Sequence, residues 1–174
     1  APKIKRVIHL CMAGGPSHME TFDPKPLLNE LSGQPRPKAF GEAKYQFIQS
    51  TAKLLGTKRT FKKYGRNGIE VSDLFPRVAA CADDLAVIRS MVAQAPNHEP
   101  SLMLMNCGDS VQARPSAGSW VLYGLGSENN NLPGFISMCP GGYPIKDTEN
   151  WQSAFLPGAY QGTYIDSKHT RIEQ

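Results

Sequence analysis

Residues able to do chemistry gather in two short stretches of this sequence. One is Gly14-Gly15-Pro16-Ser17-His18-Met19-Glu20-Thr21-Phe22-Asp23-Pro24, and the other is Asn97-His98-Glu99-Pro100. Paired glycines let a ligand approach the backbone closely, and their N–H groups can cradle an anion, so Gly14 and Gly15 are candidate anion contacts. The alternative is a tight turn with Gly15 at positive φ. Ser17 is a candidate catalytic hydroxyl, although it sits in no GxSxG elbow, and the glycines form neither a P-loop nor a GxGxxG fingerprint. His18, Glu20, Asp23, His98 and Glu99 add nitrogen and oxygen donors. Mixed imidazole and carboxylate sets suit zinc, manganese or iron, whereas carboxylate-rich sets suit calcium or magnesium. His18, Asp23 and His98 are therefore the candidate metal ligands, with His98 also a candidate catalytic group. Against this, Asp23 before Pro24 can simply cap a turn, and His98 can cap a helix. Arg89 and Arg114 are candidate anion clamps, the structural alternative for Arg89 being an ion pair with Asp83 or Asp84. His9 reads as a core histidine, and His169 stands too near the chain end to be given a role.

For these side chains to meet, a scaffold must bring two loops to one edge. Residues 5–12 (KRVIHLCM) open with charge and become a continuous apolar run, the pattern of a buried parallel strand. Residues 85–91 (LAVIRSM) repeat it. Both reactive stretches follow such a run, and in open α/β sheets ligands bind beyond the C-terminal strand ends. Between the runs, residues 25–31 predict a short helix stopped at Gly33. Residues 34–68 lack periodicity and read as an irregular basic excursion. Ser72 is the expected N-cap of a helix reaching about Asp83, with Leu74, Val78, Cys81 and Leu85 at helical spacing. Strand, excursion, helix and strand in that order make a right-handed crossover. Downstream, residues 101–107 predict a helix with Pro100 near its start and Gly108 past its end. Ser116 caps another helix through Trp120 and Tyr123, residues 133–138 form a third strand, and residues 143–174 are irregular.

Composition sets the outer limits. The chain has 174 residues, the size of one domain or the larger part of one. With 16 glycines and 14 prolines it is loop-rich, yet the absence of a three-residue period excludes collagen, and recurring apolar clusters exclude wholesale disorder. No apolar run approaches the ~20 residues of a membrane span. The net charge of +4 concentrates at Lys58, Arg59, Lys62, Lys63 and Arg66, either a solvated loop or an anion-attracting strip. No nucleic-acid module accompanies that charge. Cys11, Cys81, Cys107 and Cys139 are too widely spaced for a CxxC site; three sit in apolar contexts, and free thiols are expected. Ala1-Pro2-Lys3 carries no apolar signal core.

Read together, CMAGGPSHMETFDPKP, VSDLFP, DDLAVIRSM, NHEP, SAGSWVLYGLGSENNNLPGF and GTYIDSKHTRIE resemble, in order and over essentially the whole chain, the bacterial family called domain of unknown function 1501. The resemblance implies membership of the alkaline phosphatase/sulfatase superfamily. It therefore implies a doubly wound α/β fold with a mainly parallel sheet, of which residues 1–174 would be the N-terminal part, and an export signal of the twin-arginine type, hence an extracytoplasmic location. Sulfatases carry metal-binding Asp residues after the first strand; here those positions fall on Ala13-Gly14 or Gly14-Gly15, and Asp23 is the nearest substitute. Their Cys-x-Pro-Ser-Arg motif is matched in spacing by His98-Glu99-Pro100-Ser101-Leu102, closed by Cys107-Gly108. His98 thus stands at the nucleophile position, and a formylglycine-forming cysteine is absent there.

Two function classes follow. The first is a metal-dependent hydrolase of sulfate or phosphate esters, with zinc, calcium, magnesium or manganese as cofactor and a small-molecule or glycan ester as substrate. In it Asp23 and His98 bind metal or organise the anion, while Gly14, Gly15, Ser17 and Arg89 contact the ester oxygens. The second is a catalytically inactive relative serving as a binding or assembly component. A carbohydrate-binding module built on Trp120, Tyr123 and Trp151 ranks below both, because helical spacing assigns Trp120 and Tyr123 to a core.

Overall fold

The computed structural model describes residues 5–41, 48–49 and 51–166. Among the described residues the chain is mixed α/β with two small two-stranded sheets, and it divides into two compact units, one of Gly15–Met91 and the other of Ala1–Gly14 with Val92–Gln174.

In the Gly15–Met91 unit, a 3-10 turn at His18–Glu20 is locked from below by Thr21. The buried Thr21 hydroxyl donates to the carbonyls of Ser17 (3.1 Å) and His18 (3.3 Å). Helix α1, Pro26–Glu30, opens with proline at its first position, where no N–H is needed. Strands β1 (Phe61–Tyr64) and β2 (Ile69–Ser72) pair antiparallel, Phe61 opposite Ser72. This hairpin replaces order for part of the excursion expected over 34–68; its turn holds Asn67-Gly68, a hairpin signal in the sequence. Lys58, Arg59, Lys62, Lys63 and Arg66 are all exposed, on and beside this hairpin.

Ser72 does not cap a long helix. It is buried at the end of β2, where its N–H donates to the Thr21 carbonyl at 3.0 Å. Pro76 then starts a short helix α2, Pro76–Ala79, and a 3-10 turn at Ala82–Asp84 follows. Pro76 lacks the N–H that a helix running from Ser72 would use, which moves the helix start to the proline itself. Val71, Ala79 and Ala82 form the core, beside a stacked Phe22–Phe75 pair 5.6 Å apart.

The other unit is built on two longer helices. Helix α3, His98–Cys107, starts three residues earlier than the spacing suggests, because Asn97 rather than Pro100 marks its N-terminus and the Ser101 N–H bonds the Asn97 carbonyl. Gly108 closes it in the left-handed conformation. Helix α4, Ala117–Leu125, is capped as expected: the Ser116 side chain accepts from the Ser119 N–H, and the Ser119 hydroxyl donates to the Gln152 carbonyl at 2.9 Å. Strands β3 (Ile136–Met138) and β4 (Thr163–Ile165) pair in parallel. The region expected to be irregular also holds 3-10 turns at Asp147–Trp151 and Gly158–Tyr160. Trp151, 4 % exposed, anchors a stack with Tyr143 and Tyr164. The Phe135 ring is seated against two glycines, Gly118 of α4 and Gly162.

Two expected strands are absent among the described residues. Residues 5–12 and 85–91 join neither sheet and are largely exposed, Ile8 at 85 % and Ile88 at 68 %. An apolar run supplies the side chains of a buried strand, but only a lateral partner can satisfy its N–H and C=O groups, and neither run has one within its unit. His9 is accordingly exposed and no core histidine. Trp120 (45 % exposed) and Tyr123 also leave the expected core, in an edge-to-face chain with Phe155 and Tyr160. The four cysteines are unpaired, as expected, but Cys11 and Cys81 are exposed while Cys107 is buried. Residues 1–3 and His169 lie outside the described residues.

Candidate functional site

The candidate residues fall into one group in each unit. In the Gly15–Met91 unit the 3-10 turn folds Asp23 back beneath His18, since the Asp23 N–H bonds the His18 carbonyl at 3.0 Å. Asp23 Oδ2 then lies 4.0 Å from His18 Nε2 and 2.7 Å from Lys25 Nζ. Its side chain is only 14 % exposed. The Lys25 hydrogen bond is the main influence holding the Asp23 carboxyl below its ordinary range; partial burial opposes it, and the charges of Lys25, Arg89 and His18 reinforce it. Asp23 is thus an ionised member of a charge cluster and caps no helix: α1 has no side-chain cap.

Arg89 pairs with Glu70 of β2 at 3.8 Å, not with Asp83 or Asp84. Asp83 instead accepts the Arg66 N–H at 2.7 Å across the hairpin turn. Arg114, in the other unit, is taken up locally by Gln112 and Asp109. Ser17 precedes the 3-10 turn with its side chain making no capping bond, and it lines a cleft of about 300 Å³ with Glu20, Lys25, Asn29, Leu55 and Thr57. The wall of that cleft is tied down by the Thr57 N–H donating to Asn29 Oδ1 and the Thr57 hydroxyl donating to Glu20.

In the second unit, Gly14 and His98 meet. A Cβ on Gly14 would lie 3.3 Å from His98 Cε1 and 3.6 Å from each ring nitrogen, so the imidazole packs directly over the glycine. Gly15 has the positive φ, +71°, of the tight-turn alternative, and Gly14 joins it at +81°. His98 is the exposed first residue of α3, and Asn97 before it stands at the N-cap position without a side-chain capping bond. Its neighbour Glu99 pairs with Lys146 at 3.1 Å, and that hydrogen bond, with the charges of Glu149 and Glu99, raises the Lys146 pKa.

A metal fits these donors incompletely. Among the described residues no group of three or more His, Cys, Asp or Glu side chains could hold one. The Asp23–His18 pair offers two donors, and the Asp23 oxygen that faces His18 already holds the Lys25 ammonium.

Lys25 and Lys146 are the residues that sequence reasoning passed over. Lys25 carried a local signal, following Asp23 across a single proline. Lys146 carried none, because its partner Glu99 is distant in the chain. No curated protein and no solved structure matches the sequence. A family model described as a protein of unknown function, DUF1501, matches residues 4–174, and the chain belongs to that family.

Proposed function

We propose that the chain forms part of a sulfatase- or phosphatase-like hydrolase of the alkaline phosphatase superfamily, exported and acting on sulfate or phosphate esters. The observation that carries this reading is the imidazole of His98 packed on the open Gly14 backbone. Histidine is a competent phosphoryl-accepting nucleophile. A ring nitrogen would bond to phosphorus or sulfur as the ester P–O or S–O bond breaks and the alcohol leaves. Water would then attack the adduct, releasing phosphate or sulfate and regenerating imidazole. Gly14 and Gly15 give the anion's oxygens room to approach the backbone, where N–H groups stabilise developing charge. The parallel β3–β4 pair supports a parallel α/β sheet, and the superfamily fold and extracytoplasmic location follow from the family resemblance.

One observation favours the rival reading of an inactive binding or assembly component: Asp23, the nearest substitute for the superfamily's metal-binding aspartates, is already neutralised by Lys25. The deciding experiment measures turnover of aryl sulfates and aryl phosphates by the purified protein, with its metal content, before and after His98→Ala. Turnover abolished by His98→Ala supports the hydrolase. No turnover, with no bound metal, sinks it and leaves the binding component.

A further inference from the structure

Beside α3, on the same turn as His98, lies a second cavity of about 240 Å³, lined by Glu99, Met103, Ser110, Val111, Gln112, Lys146 and Glu149. The backbone that forms one wall is unusual. Lys146 and Asp147 are consecutive non-glycine residues with positive φ, 71° and 40°. Such strain persists only where the surroundings over-determine it. Here they do: the buried Asn150 amide donates to the carbonyls of Ile145 (2.9 Å) and Asp147 (3.0 Å), and its own oxygen accepts from Asn106 of α3. Cys107 of α3 adds a bond to the Glu149 carbonyl. The wall is therefore fixed to the helix that carries His98.

The lining chemistry selects a ligand. Glu99 and Glu149 carry two negative charges and Lys146 one positive, leaving the cavity net negative, so a free phosphate or sulfate is repelled. Lys146 bonds Glu99 and lies near Glu149, so one of the two carboxylate charges is answered and an incoming ammonium would meet the lysine's own charge. What remains is a set of acceptors (the carboxylates) and donors (ammonium, amide, hydroxyl), which a neutral hydroxyl-rich molecule matches because each hydroxyl both donates and accepts. Met103 and Val111 offer an apolar wall for its C–H face. The volume lies just below the roughly 300–1,000 Å³ of sites for drug-sized ligands, which suits one small ring rather than a chain.

We propose that this cavity binds a single neutral sugar or polyol unit, and that it receives the alcohol portion of the ester. The second clause rests on the hydrolase reading; the first does not. The test is calorimetric or ligand-observed NMR titration of the protein with glucose, glucosamine and inorganic phosphate, on wild type, Glu149→Gln and Gln112→Ala. Both substituted residues are exposed, so the fold survives. Saturable glucose binding, no tighter binding of glucosamine, no displacement by phosphate, and an affinity loss of about tenfold in either variant support the site. Glucosamine binding tenfold tighter, displacement by phosphate, unchanged affinity in both variants, or no saturation by about 0.1 M glucose overturns it. Glucose binding without ester turnover removes the hydrolase and keeps the sugar site; turnover without glucose binding does the reverse.

Discussion

Helix α4 contains two glycines that the structure treats oppositely, and replacing each with alanine tests the packing of the unit that carries His98. Alanine in an exposed helix interior is favoured over glycine by about 0.5–1 kcal/mol. At Gly124, next to last in α4, a Cβ meets nothing within 4 Å, so Gly124→Ala should gain a part of that amount. At Gly118 the Cβ would lie 2.4 Å from Phe135 Cε2 and Cζ and 2.6 Å from Cε1. Carbon atoms rest at about 3.5–4.0 Å, so a rigid ring must retreat by more than about 1 Å. Its edge is also held near Gly162, where a Cβ would stand 2.9 Å from Cε1. Overpacking of this kind costs about 1–3 kcal/mol, and the clash places Gly118→Ala at the upper end. Gly118 is only the second residue of α4, so its propensity gain is small, and the net loss should be about 2 kcal/mol. The two variants should therefore differ by about 2–3 kcal/mol in urea unfolding followed by circular dichroism, with the midpoint shifting and the slope constant. A double variant, Gly118→Ala with Phe135→Leu, should recover part of the loss, since the two side chains compete for one space. Equal stability of the two alanine variants, or additive effects in the double variant, would refute the packing argument.

Three further outcomes are expected. Gly14→Ala should lose about 1–2 kcal/mol from the left-handed φ alone, and under the proposed hydrolase reading should also lower turnover of aryl esters by shifting His98; a variant as stable as wild type contradicts the turn. The Asp23 carboxyl is lowered in the folded state, so the unfolded chain takes up its proton first, and this contribution to stability is present above the ordinary carboxylate range and lost as pH falls through and below it. Lys25→Met should flatten that acid dependence, read as the slope of unfolding free energy against pH below about 4. Thiol labelling near neutral pH followed by mass spectrometry should modify exposed Cys11 and Cys81 readily and spare Cys107, whose burial, aided by Glu149, pushes its pKa to about 11; prompt labelling of Cys107 in the folded chain would show that it is accessible.

What the sequence made legible were features decided within a few residues. The Ser116 cap, the Gly108 stop and the positive φ of Gly15 depend on local chemistry, and all appear. The β1–β2 hairpin was equally local, but Asn67-Gly68 was overshadowed by the surrounding lysines. Non-local features were hidden. Whether residues 5–12 and 85–91 are strands depends on a partner, which composition does not reveal. Trp120 and Tyr123 share a helix face whether that face is buried or open. Of the candidate site, Gly14 with His98 and His18 with Asp23 are brought together, whereas Lys146, the cation that answers Glu99, became visible only in three dimensions.

The exposed apolar runs carry a hazard of their own. VIHLCM is β-prone, uncharged and free of proline, the composition of a segment that stacks with copies of itself into fibrils. Its guards are the charges that appeared earlier as mere edges of a pattern. Lys5 and Arg6 stand at the head of the first run, and Arg89 interrupts the second. In register, each would meet its own copy at a spacing of about 4.8 Å, where like charges repel. Charges so placed would oppose self-assembly of the two runs.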